Sequence, residues 1–497
     1  MDVEAFSAHL QRPLARGHTP TDAHTGAAGG AACGDLVRIS LRIDSEDPDG
    51  RIADAGFDAS GCGTALAAGS AAVALVRDRS LLAAARVGAG EIAAELGGLG
   101  AAKLHAAELA ADALARALGA AARAQARLAP CATRTLVAMS GGVDSAVAAL
   151  LVANGGGEET ERGGDSVGAA NDVVAVTLEL WADPENDGEG SCCSAQAVRS
   201  ARDLAQRLGL AHFSIDLRDE FRAGVVAPWL SDHAAGLTPN PCVRCNGEVR
   251  LDAMLDLAER LGAQALATGH YARVHDGLLR VAVDEGKDQS YALAALSPQS
   301  LERMRFPLGS LTKPQVRELA ARAGLAVAKR PDSQDLCFLA GTSHGAFLAR
   351  HGAAQGLGER PGQILDTAGR VLGEHRGVHT VTIGQRHGLG IGGGAPLYVI
   401  ATDARSNTVT VGAREQLRAA RFGVRDVTLH RDGGCVDAVK VRYRGRRVPC
   451  RIDPSTRAGA HPRVDVLTAD PQERTAPGQM ACLYAGDTVV GYGTITA

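Results

Sequence analysis

Aromatic residues make up only 3% of the 497-residue chain, with two Trp and five Met. A chain so short of large rings fills its cores with Ala, Val and Leu; we read this, with its 61 Gly, as a compositional bias and look for function in sites. No uncharged apolar run reaches the roughly 18 residues of a membrane span, so no membrane partner is expected. The N-terminus also lacks the basic-then-apolar order of a secretion signal, which leads us to expect a cytoplasmic protein. Eleven cysteines, an odd number scattered over the chain, do not make a disulfide framework. They fit a reducing compartment, with metal-binding or redox-active thiols. Acidic excess is small, at a formal net charge of -4, but unevenly placed. Residues 1–125 carry 11 basic and 15 acidic side chains, whereas 416–497 carry 13 and 8. The basic end suits a polyanion, the alternative being a solvated Arg-rich β surface. The length predicts roughly three domains.

What is present centres on residues 135–154. A strand-like run, Leu136 to Met139, breaks into Ser140-Gly141-Gly142-Val143-Asp144-Ser145 and then into an apolar helix. Two adjacent glycines let backbone N–H groups approach an anion, the serines add hydroxyl donors, and the helix turns its positive end to the same place. No Gly-Lys-Ser/Thr follows, so the loop is not a Walker A motif. It resembles the PP-loop of ATP pyrophosphatases, which cleave ATP between the α- and β-phosphates. The resemblance implies adenylyl rather than phosphoryl transfer.

Upstream, residues 1–31 show no sustained period and read as a disordered lead-in. Residues 36–43 alternate as a strand, a D-P-D-G turn follows at 47–50, and 51–58 return. Ala-rich helices are expected near 64–77, 89–97 and 101–119. Cys33, Asp35, Cys62 and His105 are ligand types for zinc or an iron-sulfur cluster. Their order and spacing resemble the NifU/IscU-type iron-sulfur scaffold across about 30–120. Ala106 stands where that family carries its third cysteine, so the alternative is a degenerate scaffold kept for docking.

Downstream of a Gly-rich charged insertion at 155–171, a strand over 172–180, a helix over 194–208, a strand near 211–216 and a helix near 247–261 alternate as in a parallel α/β domain. Cys192-Cys193 and T-P-N-P-C-V-R-C-N at 238–246 interrupt the rhythm, with Pro-Asn-Pro stiffening the second cluster. Then come A-T-G-H-Y-A-R at 267–273, K-D-Q-S-Y at 287–291, F-P-L-G at 306–309, D-S-Q-D-L-C-F at 332–338, G-E-H at 373–375, T-I-G-Q-R-H-G-L-G at 382–390, V-R-Y-R at 441–444 and T-A-P-G-Q at 475–479. In this order, and with the loop at 140–145, they resemble the tRNA-specific 2-thiouridylase family from about residue 134 to the C-terminus.

The resemblance implies ATP-dependent 2-thiolation of the tRNA wobble uridine, with Mg accompanying ATP. It implies a persulfide on Cys337, Cys245 as the partner nucleophile, and a Cys245–Cys337 disulfide when sulfur leaves. ATP contacts are implied at Ala138, Met139, Ser140, Gly141, Gly142, Val143, Asp144, Ser145, Leu178 and Gly269. Contacts to tRNA are implied at Asn240, Pro241, Cys242, His270, Lys287, Asp288, Gln289, Arg442, Tyr443 and Gln479. Position 242 departs from the family, whose well-known members carry aspartate there for acid-base work. Cys242 is therefore open to two roles, acid-base chemistry as a thiol or a metal site shared with Cys245, Cys337 and Cys192 or Cys193.

The fold expected is multidomain. A disordered lead-in (1–31) precedes an α+β NifU/IscU-like domain (32–120), a linker (121–133) and an α/β PP-loop domain of the adenine nucleotide alpha hydrolase-like kind (134–345). Short strands separated by Gly and Pro then give a β-rich central domain (346–415) and a C-terminal β-barrel for tRNA (416–497). A cysteine desulfurase or sulfur-relay protein is the expected persulfide donor. The competing class is an iron-sulfur or zinc carrier whose PP-loop part is a vestigial RNA-binding module; a cluster-dependent tRNA thiolase is a further alternative.

Overall fold

Alternation in the strand Leu36–Ile43 sends Val37, Ile39 and Leu41 to one fully buried face, and the chain returns antiparallel along Ile52–Ser60. The computed structural model describes residues 2–29, 34–155, 171–183, 195–330, 336–339, 341–392 and 395–496. Cys33, Cys192, Cys193 and residues 332–335 of the D-S-Q-D-L-C-F motif lie outside the described residues.

A third strand, His24–Gly29, pairs with the other side of Leu36–Ile43, and a helix over Val3–Gln11 is capped by the Asp2 carboxylate. Both correct the expectation of a disordered lead-in over 1–31. The strand escapes a propensity reading because H-T-G-A-A-G contains no Val, Ile or aromatic residue. Small residues are needed there because the helix Leu104–Ala124 lies across it. A Cβ on Gly26 would sit 2.2 Å from the Ala113 carbonyl oxygen. The scarcity of rings is met in the same way beside Phe57, where a Cβ at Gly69 would come within 2.3 Å of the ring.

The chain divides into two units. The first comprises Met1–Arg218, Ala253–His270 and Arg303–Ala340. Besides the three-stranded sheet, it holds a parallel sheet in the order Met304–Arg305, Ala263–Ala267, Cys131–Ala138, Asp172–Glu179, Ala211–Asp216. The N-terminal domain covers the edge strand Ala211–Asp216. The His212 amide donates to the Ala85 carbonyl at 2.9 Å, and Arg123 donates to the Asp216 carbonyl at 2.9 Å. Covering the edge removes a template for aggregation. Helix Leu104–Ala124 passes so close that a Cβ on Gly119 would fall 1.9 Å from the Ser214 carbonyl oxygen. Gly119→Leu is thus expected to cost about 1–3 kcal/mol by overpacking, read as a lowered denaturation midpoint.

His212 is buried on this sheet against the Thr177 hydroxyl at 2.9 Å, and burial pushes its pKa down to about 3. Its folded pKa lies below the unfolded value, so the unfolded chain takes up the proton first. Stability from this group is whole above about pH 6.5 and falls by about 1 kcal/mol per pH unit below it, down to the folded pKa. Denaturant midpoints measured from pH 7 to 5 should show that slope, and His212→Gln should reduce it.

The second unit comprises Asp219–Asp252, Tyr271–Glu302 and Gly341–Ala497. Its four-stranded sheet runs Val371–His375, Gly362–Leu365, Thr408–Gly412, Tyr398–Asp403 around Ile364, Val399 and Val409. Its larger sheet closes on itself, because Arg418–Leu429 pairs with both Gly459–Glu473 and Thr488–Ile495. Six strands form this barrel, filled by Val, Leu and Ile, and the short hairpin Arg273–His275 and Leu278–Arg280 extends it from Thr488–Ile495.

Candidate functional site

The S-G-G-V-D-S loop leaves the carboxyl end of Cys131–Ala138, which has parallel neighbours on both sides. Strand order reverses there, opening a crevice of the kind that takes ligands in open α/β sheets. Gly141 is held at φ +72°, and a Cβ on it would lie 2.9 Å from the Ala197 carbonyl oxygen. Gly142 caps the helix Val143–Ala153 in extended conformation with no side-chain cap bond, so the helix presents backbone N–H donors. Gly269 approaches from the strand Ala263–Ala267, and a Cβ on it would meet the Ser145 amide nitrogen at 2.7 Å. The two serines divide their work. Ser145 Oγ is buried, accepts from the Ser140 amide at 3.1 Å and donates to the Gly142 carbonyl at 3.1 Å, which holds the loop's shape. Ser140 is the exposed hydroxyl. Leu178 and Met139 are buried beside the loop's strands.

Two cations that sequence reasoning missed hold this loop. Lys313 Nζ donates to both Asp144 carboxylate oxygens, at 2.7 and 2.8 Å, and Arg330 donates to the Gly141 carbonyl at 3.1 Å. Lys313 is only 7% exposed although it opens the helix Lys313–Arg322 behind a Thr312–Gln315 capping box. A lysine at a helix N-terminus opposes the macrodipole, so an anion must stabilise it. That conflict in L-T-K-P-Q was the available signal. Cys337 belongs to the same unit, in a short turn where the Phe338 ring meets Trp181 edge-on at 6.4 Å between centroids. His270 is half-buried, with Nδ1 2.8 Å from the Thr268 hydroxyl.

In the second unit, Asn240 Oδ1 accepts the Cys242 amide at 3.0 Å and caps the turn Pro241–Arg244. The chain then widens into a π-helical turn over Cys245–Arg250, a form of helix that recurs at functional sites. Cys242 is exposed and Cys245 is buried. The T-A-P-G-Q loop fixes the approach to this turn. Thr238 donates its amide to the Pro477 carbonyl at 2.8 Å, and Gln479 donates to the Thr238 carbonyl at 2.5 Å. Tyr443 is 41% exposed, its phenol feels Cys242 and Lys287, and its side chain bonds Gln289. Gln289 in turn accepts the Tyr271 amide at 2.9 Å. Arg442 lies exposed next to Tyr443. Asp288 faces inward, accepting from Ser290 Oγ at 2.9 Å and pairing with buried Lys440 at 3.2 Å. Its side chain supports the segment rather than presenting itself at the surface.

A separate cluster lies in the N-terminal domain. One ligand atom each from Asp35, Cys62 and His105 falls within 4.8 Å of the others. The Cys62 amide donates to Asp35 Oδ1 at 2.7 Å and its thiol to Oδ2 at 3.1 Å, while His105 Nε2 lies 3.6 Å from Oδ2. The bonds from Cys62 hold the Asp35 carboxyl below its ordinary pKa. Only glycine fits at 61, where a Cβ would lie 1.9 Å from Asp35 Oδ1.

Four family models match in succession: a NifU-like N terminal domain over 4–127, a tRNA methyl transferase HUP domain over 133–341, a tRNA methyl transferase PRC-barrel domain over 346–413 and an aminomethyltransferase beta-barrel domain over 430–495. A bifunctional protein NifU/MnmA of Rubrobacter xylanophilus is 41% identical over 98% of this chain and 97% of its own length. The chain belongs to the NifU/MnmA family. A tRNA-specific 2-thiouridylase MnmA of Geobacter metallireducens is 39% identical over 73% of the chain and 97% of that protein. That of Thermobifida fusca is 42% identical over 73% of the chain and 95% of its own length.

The two positions singled out in the sequence, 106 and 242, fall at different kinds of place. Ala106 is fully buried, directly after His105 in the helix Leu104–Ala124. Cys242 stands exposed on a helical turn capped by Asn240.

Proposed function

We propose that this chain adenylates the O2 of the wobble uridine of tRNA and replaces that oxygen with sulfur. The loop Ser140–Ser145 carries the reading, since it joins a parallel strand to a helix N-terminus without a side-chain cap and offers the exposed Ser140 hydroxyl. ATP is the substrate of this loop, and Ala138 through Ser145, Leu178 and Gly269 are its proposed contacts. Asp144 is the carboxylate placed to help hold Mg, which would offset phosphate charge when bound. A loop built to release pyrophosphate, with cysteines at the positions of the resemblance, favours sulfur over methyl transfer.

In the proposed chemistry, uracil O2 attacks the α-phosphate, pyrophosphate leaves, and C2 gains an AMP leaving group. The outer sulfur of a Cys337 persulfide attacks C2 and AMP departs, leaving Cys337 joined to C2 through a disulfide. The Cys245 thiolate attacks Cys337 Sγ, the S–S bond to the nucleobase sulfur breaks with its electron pair, and thiouridine is released. The Cys245–Cys337 disulfide is then reduced by an external thiol. Asn240, Pro241, Cys242, His270, Lys287, Gln289, Arg442, Tyr443 and Gln479 are the proposed tRNA contacts, Tyr443 by stacking. The basic excess at 416–497 supplies phosphate contacts. Thiolation of tRNA with ATP and a persulfide donor, read as 2-thiouridine in nucleoside digests, tests the reading; ATP-independent incorporation would overturn it.

The Asp35–Cys62–His105 cluster favours a second role for the N-terminal domain, binding a metal ion and receiving sulfur from a cysteine desulfurase or relay protein. Its oxygen, sulfur and nitrogen donors fit zinc, and when bound the metal would order the loop around Gly61. Zinc binding to the full chain is expected with one equivalent held, and Cys62→Ser should weaken it by about 10-fold or more, checked by competition with a chromogenic chelator. The vestigial-carrier alternative predicts no ATP turnover, which the intact loop opposes.

A further inference from the structure

We infer that the N-terminal domain positions the ATP loop, with Asp112 and Arg116 on the helix Leu104–Ala124 as its positioning residues. The inference rests on the adenylation reading above and adds to it a reason for the fusion.

Asp112 and Arg116 are one turn apart on that helix and face the helix Ala195–Arg207 and the strand Asp172–Glu179. Asp112 accepts Arg199 Nε at 2.9 Å and is also paired with Arg202. Arg116 grips the Glu179 carboxylate with two bonds, at 2.9 and 3.1 Å, and donates to the Ala27 carbonyl of its own domain at 2.8 Å. Arg202 is 2% exposed, and Asp112 and Glu179 are also buried. Buried ion pairs add little to stability over apolar packing of similar volume, and the helix is otherwise rich in alanine that packs without them. What directional charged bonds do contribute is register: each fixes the angle and height of one element against the next.

Both elements so fixed lead to the phosphate loop. Arg199 and Arg202 sit on Ala195–Arg207, whose Ala197 carbonyl and Ala201 amide lie 2.9 and 3.6 Å from where a Gly141 Cβ would be. That helix is flush with the loop, so displacing it moves a wall of the cradle. Glu179 follows Leu178 on Asp172–Glu179, the strand that accepts the Met139 amide at 2.8 Å through Val176. Asp112 therefore acts through Arg199 and Arg202, and Arg116 through Glu179, neither touching nucleotide.

The test uses the full-length chain with ATP as the probe. Asp112→Asn and Arg116→Gln are each expected to raise the Kd for ATP about fivefold or more while leaving the KM for tRNA unchanged. Asp112→Glu should restore most of the affinity, and Arg38→Gln, which opens an exposed pair elsewhere on the same domain, should change nothing. As a measurement free of variants, ATP should slow hydrogen exchange along 104–124 in the wild-type chain. Unchanged ATP affinity in both folded variants, or unchanged exchange in the wild type at saturating ATP, overturns the inference. Failure of the wild-type chain to bind ATP overturns the adenylation reading and this inference together, whereas ATP binding that ignores both variants sinks this inference alone.

Discussion

Cys337→Ala is expected to reduce thiolation by at least about a thousandfold while leaving ATP binding intact, because it removes a covalent sulfur carrier and nothing in the phosphate cradle. Cys337 lies in a short turn whose Phe338 packs on Trp181, so the truncation takes away one thiol without opening a large cavity. Adenylate formation should continue, seen as pyrophosphate released in the presence of tRNA. Cys245→Ala should differ in kind. If Cys245 releases the nucleobase sulfur, that variant should accumulate tRNA joined to Cys337 through sulfur, visible as a reducible protein–RNA adduct. Thiolation at the wild-type rate in Cys337→Ala, or no adduct with Cys245→Ala, would count against the covalent scheme. Cys242→Asp should retain activity if position 242 serves acid-base work, since it restores a carboxylate on the same capped turn.

Lys313→Met is expected to lower kcat/KM for ATP by about a hundredfold. Lys313 is buried and holds both oxygens of Asp144, so a neutral side chain of similar length leaves a carboxylate beside the triphosphate without its countercharge. Like charge then opposes the phosphates. Asp144→Asn in the same background should not recover the loss, because it also removes the carboxylate proposed to help hold Mg. Steady-state kinetics with varied ATP at saturating tRNA check both. Equal kcat/KM in wild type and Lys313→Met would show the pair to be a structural tie alone.

The loop was legible because its chemistry is local. Ser140 to Ser145 lie in consecutive positions, and the demands for glycine and for a helix start are met within them. The cluster Asp35–Cys62–His105 was legible for another reason: cysteine and histidine are uncommon enough in this Ala- and Gly-rich chain that their order carries information. Arg330 was not legible, and Lys313 showed only as a charge at odds with its helix start, because a lysine and an arginine read as solvated charges until the fold brings Asp144 and the Gly141 carbonyl to them. The strand His24–Gly29 was hidden by its own composition, since what selects small residues there is the helix crossing at Ala113. Asp288 was legible as part of a motif, yet its inward direction toward Lys440 was not, because pattern fixes position and not where a side chain points.

By itself the sequence determined which chemistry is carried: a phosphate loop without a Walker lysine, thiols in a Pro-stiffened motif and in a second motif at 332–338, a ligand set near the N-terminus and a basic C-terminal domain. These follow from residue type and short spacing, which need no fold to be read. Only the tertiary structure decided what holds the loop, through Lys313 and Arg330, and what covers the sheet edge, through Gly119 and the helix that carries Asp112 and Arg116. Those partners lie from about sixty to nearly two hundred residues apart in the chain, and over such separations only packing chooses which charges meet.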